Sequence, residues 1–257
     1  NEAEKLETSS GIFFMKHNDA KRYPKMFEAE VKGLQLLKNA NEIFVPEVIL
    51  SGEEGDESFL ILEFVEAAAR PKNFFSDFGI RLAKLHKHST EKFGLDSDNY
   101  IGSLTQSNRQ HDCWIDFFIQ ERLERQIKLA RDNSAISNSL VQQFNSLFKR
   151  LNEIFPNEKS SLLHGDLWNG NFMTAPDGSA CIIDPAVYFG FREMDIAMSK
   201  LFSGFSDEFY DSYNSEFPME KGWKKRIDIC NLYPLMVHVN LFGKGYVNDV
   251  QSILDPF

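Results

Sequence analysis

Three polar residues with defined spacing are the part of this sequence best suited to chemistry. Asp166 and Asn171 lie five positions apart in the segment LLHGDLWNGN, and Asp184 follows the apolar run CII, thirteen residues after Asn171. An aspartate can accept the proton of an attacking hydroxyl group. An amide oxygen and a second carboxylate are oxygen ligands of the kind that Mg²⁺ prefers. Together they indicate transfer of a phosphoryl group from a nucleotide to an alcohol.

His164 completes the pattern H-x-D-x-x-x-x-N, which is the spacing of the catalytic loop in protein kinases. Asp184 stands where those enzymes carry a second metal-binding aspartate, although Pro185 and Ala186 follow it in place of Phe-Gly. Each residue alone has a structural explanation, such as capping a turn. Their shared order and spacing favour the kinase interpretation. Because a histidine at this place usually packs beneath the loop, we expect His164 to be structural.

Such a loop requires a lysine that binds the nucleotide phosphates and a glutamate that orients it. Lys16 ends the apolar run GIFFMK, so its amine can leave a strand and enter a cleft between two lobes. A solvated lysine at a strand end is the alternative. On the helix that follows, Glu28 and Glu30 both qualify as its partner, and we favour Glu30.

The first 65 residues predict a small β-rich lobe that carries this lysine. Three short apolar runs predict strands, at 11–16, 45–50 and 59–64. Between the first two strands, apolar residues at helical spacing predict a helix across 27–38. After the third strand, Glu63, Phe64 and Val65 would form a hinge whose backbone groups meet the adenine of ATP.

The rest of the chain predicts a larger, mainly helical lobe. The small-residue stretch AAARPKN is typical of a linker. Amphipathic segments follow at about 114–130 and 139–154, and a strand pair is predicted around 172 and 180–183. We therefore predict a two-lobed α+β fold of the protein-kinase-like class, with an N-lobe at 1–65 and a C-lobe at 66–257.

Composition excludes several other classes of function. The net charge of −10 provides no basic field for nucleic acid, and we interpret the short basic run at 221–226 as a solvated helix face. The sequence contains no stretch of ~18 apolar residues and no hydrophobic signal core, so we expect a soluble, cytoplasmic protein without a membrane partner. The widely spaced Cys113, Cys181 and Cys230 suit reduced, structural thiols.

The segments HGDLWNGN, IIDPAVYFGFREMDIAM, LFSGF and LYPLMVHVNLFGKGY resemble the fructosamine kinase (ketosamine 3-kinase) family, a branch of the aminoglycoside-phosphotransferase-like kinases. The resemblance extends from about Gly11 to Leu254. It implies that ATP, with Mg²⁺, phosphorylates the sugar 3-hydroxyl of ketosamines such as ribulosamines or fructosamines. These substrates are free small molecules or glycated protein lysines. The 3-phosphate is unstable, so the implied activity removes the sugar from the amine.

The resemblance also implies a role for each candidate residue. Asp166 becomes the general base or the group that orients the hydroxyl. Asn171 and Asp184 become the Mg²⁺ ligands. Lys16 becomes the phosphate clamp and Glu30 its partner.

Four further residues belong to the same segments. Trp168 is a candidate for stacking on the ketosamine, with a core tryptophan that anchors the loop as an equal alternative. His238 is a second candidate for the sugar side, although a histidine on an apolar helix is more often a core residue. Glu193 and Asp195 are expected to stabilise a helix start rather than to touch the substrate.

One expected feature and two alternative functions remain. Relatives carry a glycine-rich turn that covers the phosphates, and this sequence begins where that turn would have ended, so we expect it upstream. The acidic composition also suits a kinase for choline, an aminoglycoside or another amino alcohol, but the DPAVYFG run argues against it. A catalytically silent kinase-like module is disfavoured by the presence of Asp166, Asn171 and Asp184.

Overall fold

The computed structural model describes residues 2–202 and 204–257. Its first part is a four-stranded antiparallel sheet of β1 (Glu2–Thr8), β2 (Gly11–Asp19), β3 (Val48–Glu54) and β4 (Glu57–Glu63), in the order β1-β2-β4-β3. The helix α1 (Met26–Ala40) follows β2 and contacts β3 and β4. Its apolar stripe contributes Phe27, Leu34 and Leu37 to the core, which fixes the helix on the sheet to which the Lys16 strand β2 belongs.

The predicted strands and helix of this part are present, with shifted ends and one additional strand. β3 begins three residues later than predicted. β1 was not predicted because its sequence EAEKLET is mostly charged and exposed, as is common for the edge strand of a sheet. It is held by pairing along its length with β2, from Glu2 opposite His17 to Thr8 opposite Gly11. The glycine-rich turn expected upstream lies outside the described residues.

An irregular segment at 64–71 leads to the second part. Its main helices are α2 (Phe74–Leu85), α3 (Trp114–Phe117), α4 (Glu124–Asp132), α5 (Asn138–Phe148), α6 (Leu151–Ile154), α7 (Glu193–Leu201), α8 (Asp207–Glu216), α9 (Trp223–Phe242) and α10 (Val247–Leu254). Its short antiparallel strand pairs are β5 (Asn99–Ile101) with β6 (Leu104–Gln106), β7 (Ser161–Leu163) with β10 (Tyr188–Gly190), and β8 (Phe172–Thr174) with β9 (Ala180–Ile182). Helix content is thus concentrated after residue 73, while the exact lobe boundary at residue 65 stays a prediction. In the ranges 2–202 and 204–257, no helix is both long enough and apolar enough to cross a bilayer.

The helix predicted at 114–130 contains a π-helical turn, Phe118–Leu123, between α3 and α4. This turn places two charged side chains in the interior. The carboxylate of Glu121 accepts a hydrogen bond from Ser107, and the guanidinium of Arg122 lies 4.0 Å from the ring centre of Tyr188. π-Turns often occur near functional sites, and this one supports a wall of the cavity described below.

An aromatic cluster fixes the hairpin β8–β9 against the helices. The ring of Phe172 at the start of β8 lies 5.3 Å from that of Phe78 on α2 and 4.9 Å from that of Phe205 before α8. Aromatic pairs at these separations add to the stability gained from burial alone. Because Asn171 directly precedes Phe172, the cluster anchors the end of the candidate catalytic loop.

The basic run at 221–226 is only partly a solvated face. Lys221, Lys224 and Lys225 are exposed, but Arg226 is buried and its guanidinium lies 2.6 Å from the carboxylate of Glu193 on α7. The interpretation was wrong for Arg226 because the helical position that it occupies faces α7, which sequence spacing alone does not reveal. The pair joins α7 to α9, and both helices line the candidate site.

Candidate active site

The candidate catalytic loop lies between β7 and β8, where the side chain of Asn171 turns back towards Asp166. Its amide nitrogen donates to the Asp166 main-chain oxygen at 2.8 Å and to Oδ2 at 2.9 Å. The spacing of five residues therefore closes a compact loop. Because Nδ2 faces Asp166, Oδ1 remains as the oxygen donor of the amide.

Burial raises the pKa of Asp166 to about 7. The hydrogen bond from Asn171 opposes this shift, and the nearby negative charges of Asp184 and Asp195 add to it. A general base is most effective when its pKa lies close to the working pH. The Asp166 carboxylate is therefore suited to accept a proton from a bound hydroxyl group.

Asp184 leaves β9 in a left-handed backbone conformation with φ of 53°, which is uncommon for a residue other than glycine. Its side chain is 48% exposed and its Oδ1 lies 3.0 Å from Lys16 Nζ. Such a conformation persists where the surrounding structure enforces it, often at functional sites. The backbone turn thus carries a carboxylate out of the hairpin and into the cleft.

Lys16 lies at the centre of the strand-rich half of the site and is only 5% exposed. Its Nζ donates to the Glu30 carboxylate at 2.7 and 2.9 Å. Burial alone would lower the pKa of Lys16, but the charges of Glu30 and Asp184 outweigh it and raise the pKa. Of the two candidate partners, Glu28 instead forms an exposed ion pair with Lys32.

These residues share one cavity of about 190 Å³, lined by Lys16, Glu30, Asp166, Asn171, Asp184 and nine other residues. Asn171 Oδ1 and the Asp184 carboxylate supply hard oxygen donors to it. Mg²⁺ is usually bound by one or two carboxylates together with phosphate oxygens. The donor set therefore fits a magnesium nucleotide.

The predicted hinge residues do not line this cavity. The carboxylate of Glu63 accepts a hydrogen bond from the Glu47 main-chain nitrogen at 3.1 Å, which ties the end of β4 to the segment before β3. The ring of Phe64 is approached by Lys5 Nζ at 5.5 Å. A contact of Phe64 or Val65 with adenine would rest on backbone groups, and it stays a prediction.

A second, mostly apolar cavity of about 340 Å³ adjoins the first, and Asp166 and Trp168 border both. Trp168 is 37% exposed, so it is not a core tryptophan. His238 is half-buried and lines the apolar cavity, with Nδ1 donating to the Pro234 carbonyl oxygen at 2.7 Å. The structure thus places both candidates for the sugar side in a cavity beside the candidate base.

Asp195 has a role that the sequence interpretation missed. Its carboxylate accepts the main-chain N–H groups of His164 at 2.7 Å and Gly165 at 2.9 Å, and lies 3.2 Å from His86 Nε2. Although burial opposes it, these hydrogen bonds and the histidines lower the pKa of Asp195. From the first turn of α7, it braces the catalytic loop. A charged residue in the apolar run EMDIAM was the available signal, since buried charges require partners.

Two neighbours complete the support of the loop. His164 is fully buried and its Nε2 donates to the Ile183 carbonyl oxygen at 2.9 Å, as expected for a structural histidine. Gly165 has φ of 83°, and a Cβ atom there would lie 2.0 Å from the Ala186 carbonyl oxygen. Only glycine fits this contact between the loop and the segment after Asp184.

The sequence model of the fructosamine kinase family matches residues 1–257. A probable ketoamine kinase of Vibrio parahaemolyticus is 41% identical over 246 residues, which cover 95% of this chain and 84% of the relative. A chloroplastic protein-ribulosamine 3-kinase of Arabidopsis thaliana is 37% identical over 262 residues, which cover 100% of this chain and 79% of that protein.

Solved structures confirm the predicted class of fold. A candidate fructosamine-3-kinase of Haemophilus somnus superposes with a TM-score of 0.88 at 32% identity, covering 100% of this chain and 90% of that chain. The choline kinase LicA of Streptococcus pneumoniae has a TM-score of 0.68 at 18% identity, covering 99% and 90%. At that identity the likeness concerns the kinase-like fold and carries nothing about the acceptor.

Proposed function

Because this chain belongs to the fructosamine kinase family, we propose that it transfers the γ-phosphoryl group of ATP to the sugar 3-hydroxyl of a ketosamine, such as a ribulosamine or a fructosamine. The observation that carries the proposal is the position of Asp166. Its carboxylate, with a pKa of about 7, borders both the polar cavity with Lys16 and the apolar cavity. The names of the relatives support the class of acceptor.

Each residue has a defined part in the transfer. Asp166 accepts the proton of the 3-hydroxyl group while Asn171 holds its carboxylate in place. The oxygen of the 3-hydroxyl group forms a bond to the γ-phosphorus, and the bond between the γ-phosphorus and the bridging oxygen of ADP breaks. Lys16 stabilises the negative charge of the phosphates. Asn171 Oδ1 and Asp184 would hold Mg²⁺, which supplies further charge neutralisation when bound.

Release of ADP in the presence of a panel of acceptor alcohols tests the proposal. Ribulosamines and fructosamines are expected to stimulate release strongly, while choline and an aminoglycoside leave it near the rate without acceptor. Stimulation by choline alone would contradict the proposal. A catalytically silent protein would show no stimulation by any acceptor.

The pKa of Asp166 predicts the pH dependence of the reaction. We expect kcat/KM for the ketosamine to fall about tenfold for each pH unit below about 7, because protonated Asp166 cannot accept the hydroxyl proton. Above that pH the rate should level off. Initial rates between pH 5 and pH 9 measure the profile, and a flat profile down to pH 5 would exclude Asp166 as the base.

Replacement of Asp195 by asparagine tests the support of the catalytic loop. An amide group cannot accept both main-chain N–H bonds as a carboxylate does, so kcat should fall about tenfold and the melting temperature should fall as well. Removal of its negative charge should also move the acid limb of the pH profile to lower pH. Asp211→Asn, at an exposed position on α8, is the matched control. A loss of stability without a shifted profile would reduce Asp195 to a structural residue.

A further inference from the structure

The apolar cavity has borders of two kinds. Asp166, Trp168 and the tip of the β5–β6 hairpin border both this cavity and the polar cavity. Elsewhere in its lining, three aromatic side chains surround His238, and the four residues are here called the aromatic rim: Phe202, His238, Phe242 and Tyr246. The His238 ring centre lies 4.8, 5.3 and 5.0 Å from those of the other three rings, respectively. None of the residues that act in the phosphoryl transfer belongs to this rim.

The rim is assembled from separate segments of the chain. Phe202 follows α7, His238 and Phe242 lie on the last turns of α9, and Gly243 then reverses the chain with φ of 93° so that Tyr246 returns beside His238. Phe242 is 67% exposed, the highest value among the large exposed apolar side chains of the described residues. An exposed ring on the border of a cavity suits contact with a ligand better than contact with the core.

The charges around the cavity define what the rim can bind. Of the described residues that line the cavity, Asp166 alone is formally charged. Tyr188 and Tyr233 on the inner wall already face the guanidinium of Arg122, at 4.0 and 5.3 Å. Among the described residues, no cation lies over the rings of the rim, so the faces of these rings can bind a cation of the ligand.

A ketosamine supplies that cation. Its nitrogen is a secondary amine, protonated at neutral pH, and C1 and C2 separate it from C3. When the 3-hydroxyl group meets Asp166, which borders this cavity, the nitrogen is close enough for its substituent to extend into the same cavity. A carboxylate on that substituent would lose its hydration there without gaining a basic partner, which is unfavourable.

Resting on the proposed function, we propose that the aromatic rim binds the secondary ammonium group and the apolar substituent of the ketosamine amine, so that the protein selects ketosamines of alkyl and aryl amines over those whose amine carries an adjacent carboxylate. Phe242 is the outermost contact of this subsite. The rim thus determines specificity for the amine, while Asp166 and its neighbours act on the sugar.

Three ribulosamines, prepared from benzylamine, methylamine and glycine, test this selection. The methylamine compound is the reference for the wild-type protein. Relative to it, kcat/KM should be about tenfold higher for the benzylamine compound and about tenfold lower for the glycine compound. Equal use of the glycine and benzylamine compounds would overturn the proposal. If the protein phosphorylates none of the three compounds, both the proposed function and the proposed selection by the rim are contradicted.

Variants of Phe242 locate the selection on the rim. The preference for benzylamine is the kcat/KM of the benzylamine compound divided by that of the methylamine compound. Phe242→Ser should lower this ratio about tenfold, and Phe242→Leu should retain part of the preference. Ile49→Ser is the control, because Ile49 is also a large exposed apolar residue but lies on β3 and does not line the cavity. An unchanged ratio in Phe242→Ser, or an equal loss for all three compounds, would overturn the role of the rim and leave the kinase activity standing.

Discussion

Asp166→Asn is expected to lower kcat for ketosamine phosphorylation by about 10² to 10⁴, because the amide cannot accept the proton of the 3-hydroxyl group. The variant keeps the size of the side chain, so the KM for ATP should change by no more than about twofold. Steady-state rates with a ribulosamine and ATP measure both quantities. Asp112→Asn, whose side chain is 88% exposed and distant in sequence from the loop, is the matched control.

The same substitution should stabilise the protein at alkaline pH. Because the pKa of Asp166 is raised from 3.8 to about 7, the folded state binds more protons than the unfolded state between these values, and stability is lost as pH rises through this window. Asparagine has no ionisable carboxyl group, so the variant does not lose stability in this pH window. The melting temperature of Asp166→Asn should therefore exceed that of the wild type at pH 8 and approach it at pH 4. Full activity together with unchanged melting at pH 8 would contradict the assignment.

Lys16→Met is expected to lower kcat/KM for ATP by about 10² or more, because a preorganised positive charge no longer meets the phosphates. It should also destabilise the fold by about 3 kcal/mol, since Glu30 loses the partner that compensates its buried charge. Thermal unfolding and steady-state kinetics measure the two effects separately. Lys32→Met, which breaks an exposed ion pair on α1, is the control for the loss of a lysine.

A double variant separates the two effects of Lys16. In Lys16→Met/Glu30→Gln the buried carboxylate is also removed, so much of the lost stability should return while the activity does not. Recovery of activity with stability would mean that Lys16 acts only as a structural partner of Glu30. Persistent instability with full activity would exclude Lys16 from the phosphate site.

The local half of the site follows from the sequence because its residues are related by short, regular spacing. Asp166 and Asn171 belong to one loop, and the hydrogen bond between their side chains is a consequence of their separation along the chain. Lys16 could be placed on a strand by its apolar neighbours. The choice of Glu30 over Glu28 needed the rotation of α1 on the sheet, which depends on packing rather than on spacing.

The remaining features depend on contacts between distant segments. Asp195 binds the backbone of the catalytic loop from α7, about thirty residues away. Arg226 pairs with Glu193 through the packing of α9 on α7. The aromatic rim brings Phe202, which follows α7, and Tyr246, which follows α9, against the ring of His238. No periodicity within one element predicts such contacts, and the charged strand β1 carries no apolar pattern at all.

The position of the phosphate in the product tests the central proposal most directly. Full-length protein, Mg·ATP and a ribulosamine labelled with ¹³C in the sugar are incubated, and phosphorus–carbon couplings are measured by NMR. Phosphorus should couple to C3 and its neighbouring carbons, and the phosphate ester should then decay. A phosphate on another hydroxyl group, or ATP consumption without a phosphorylated sugar, would contradict the proposal.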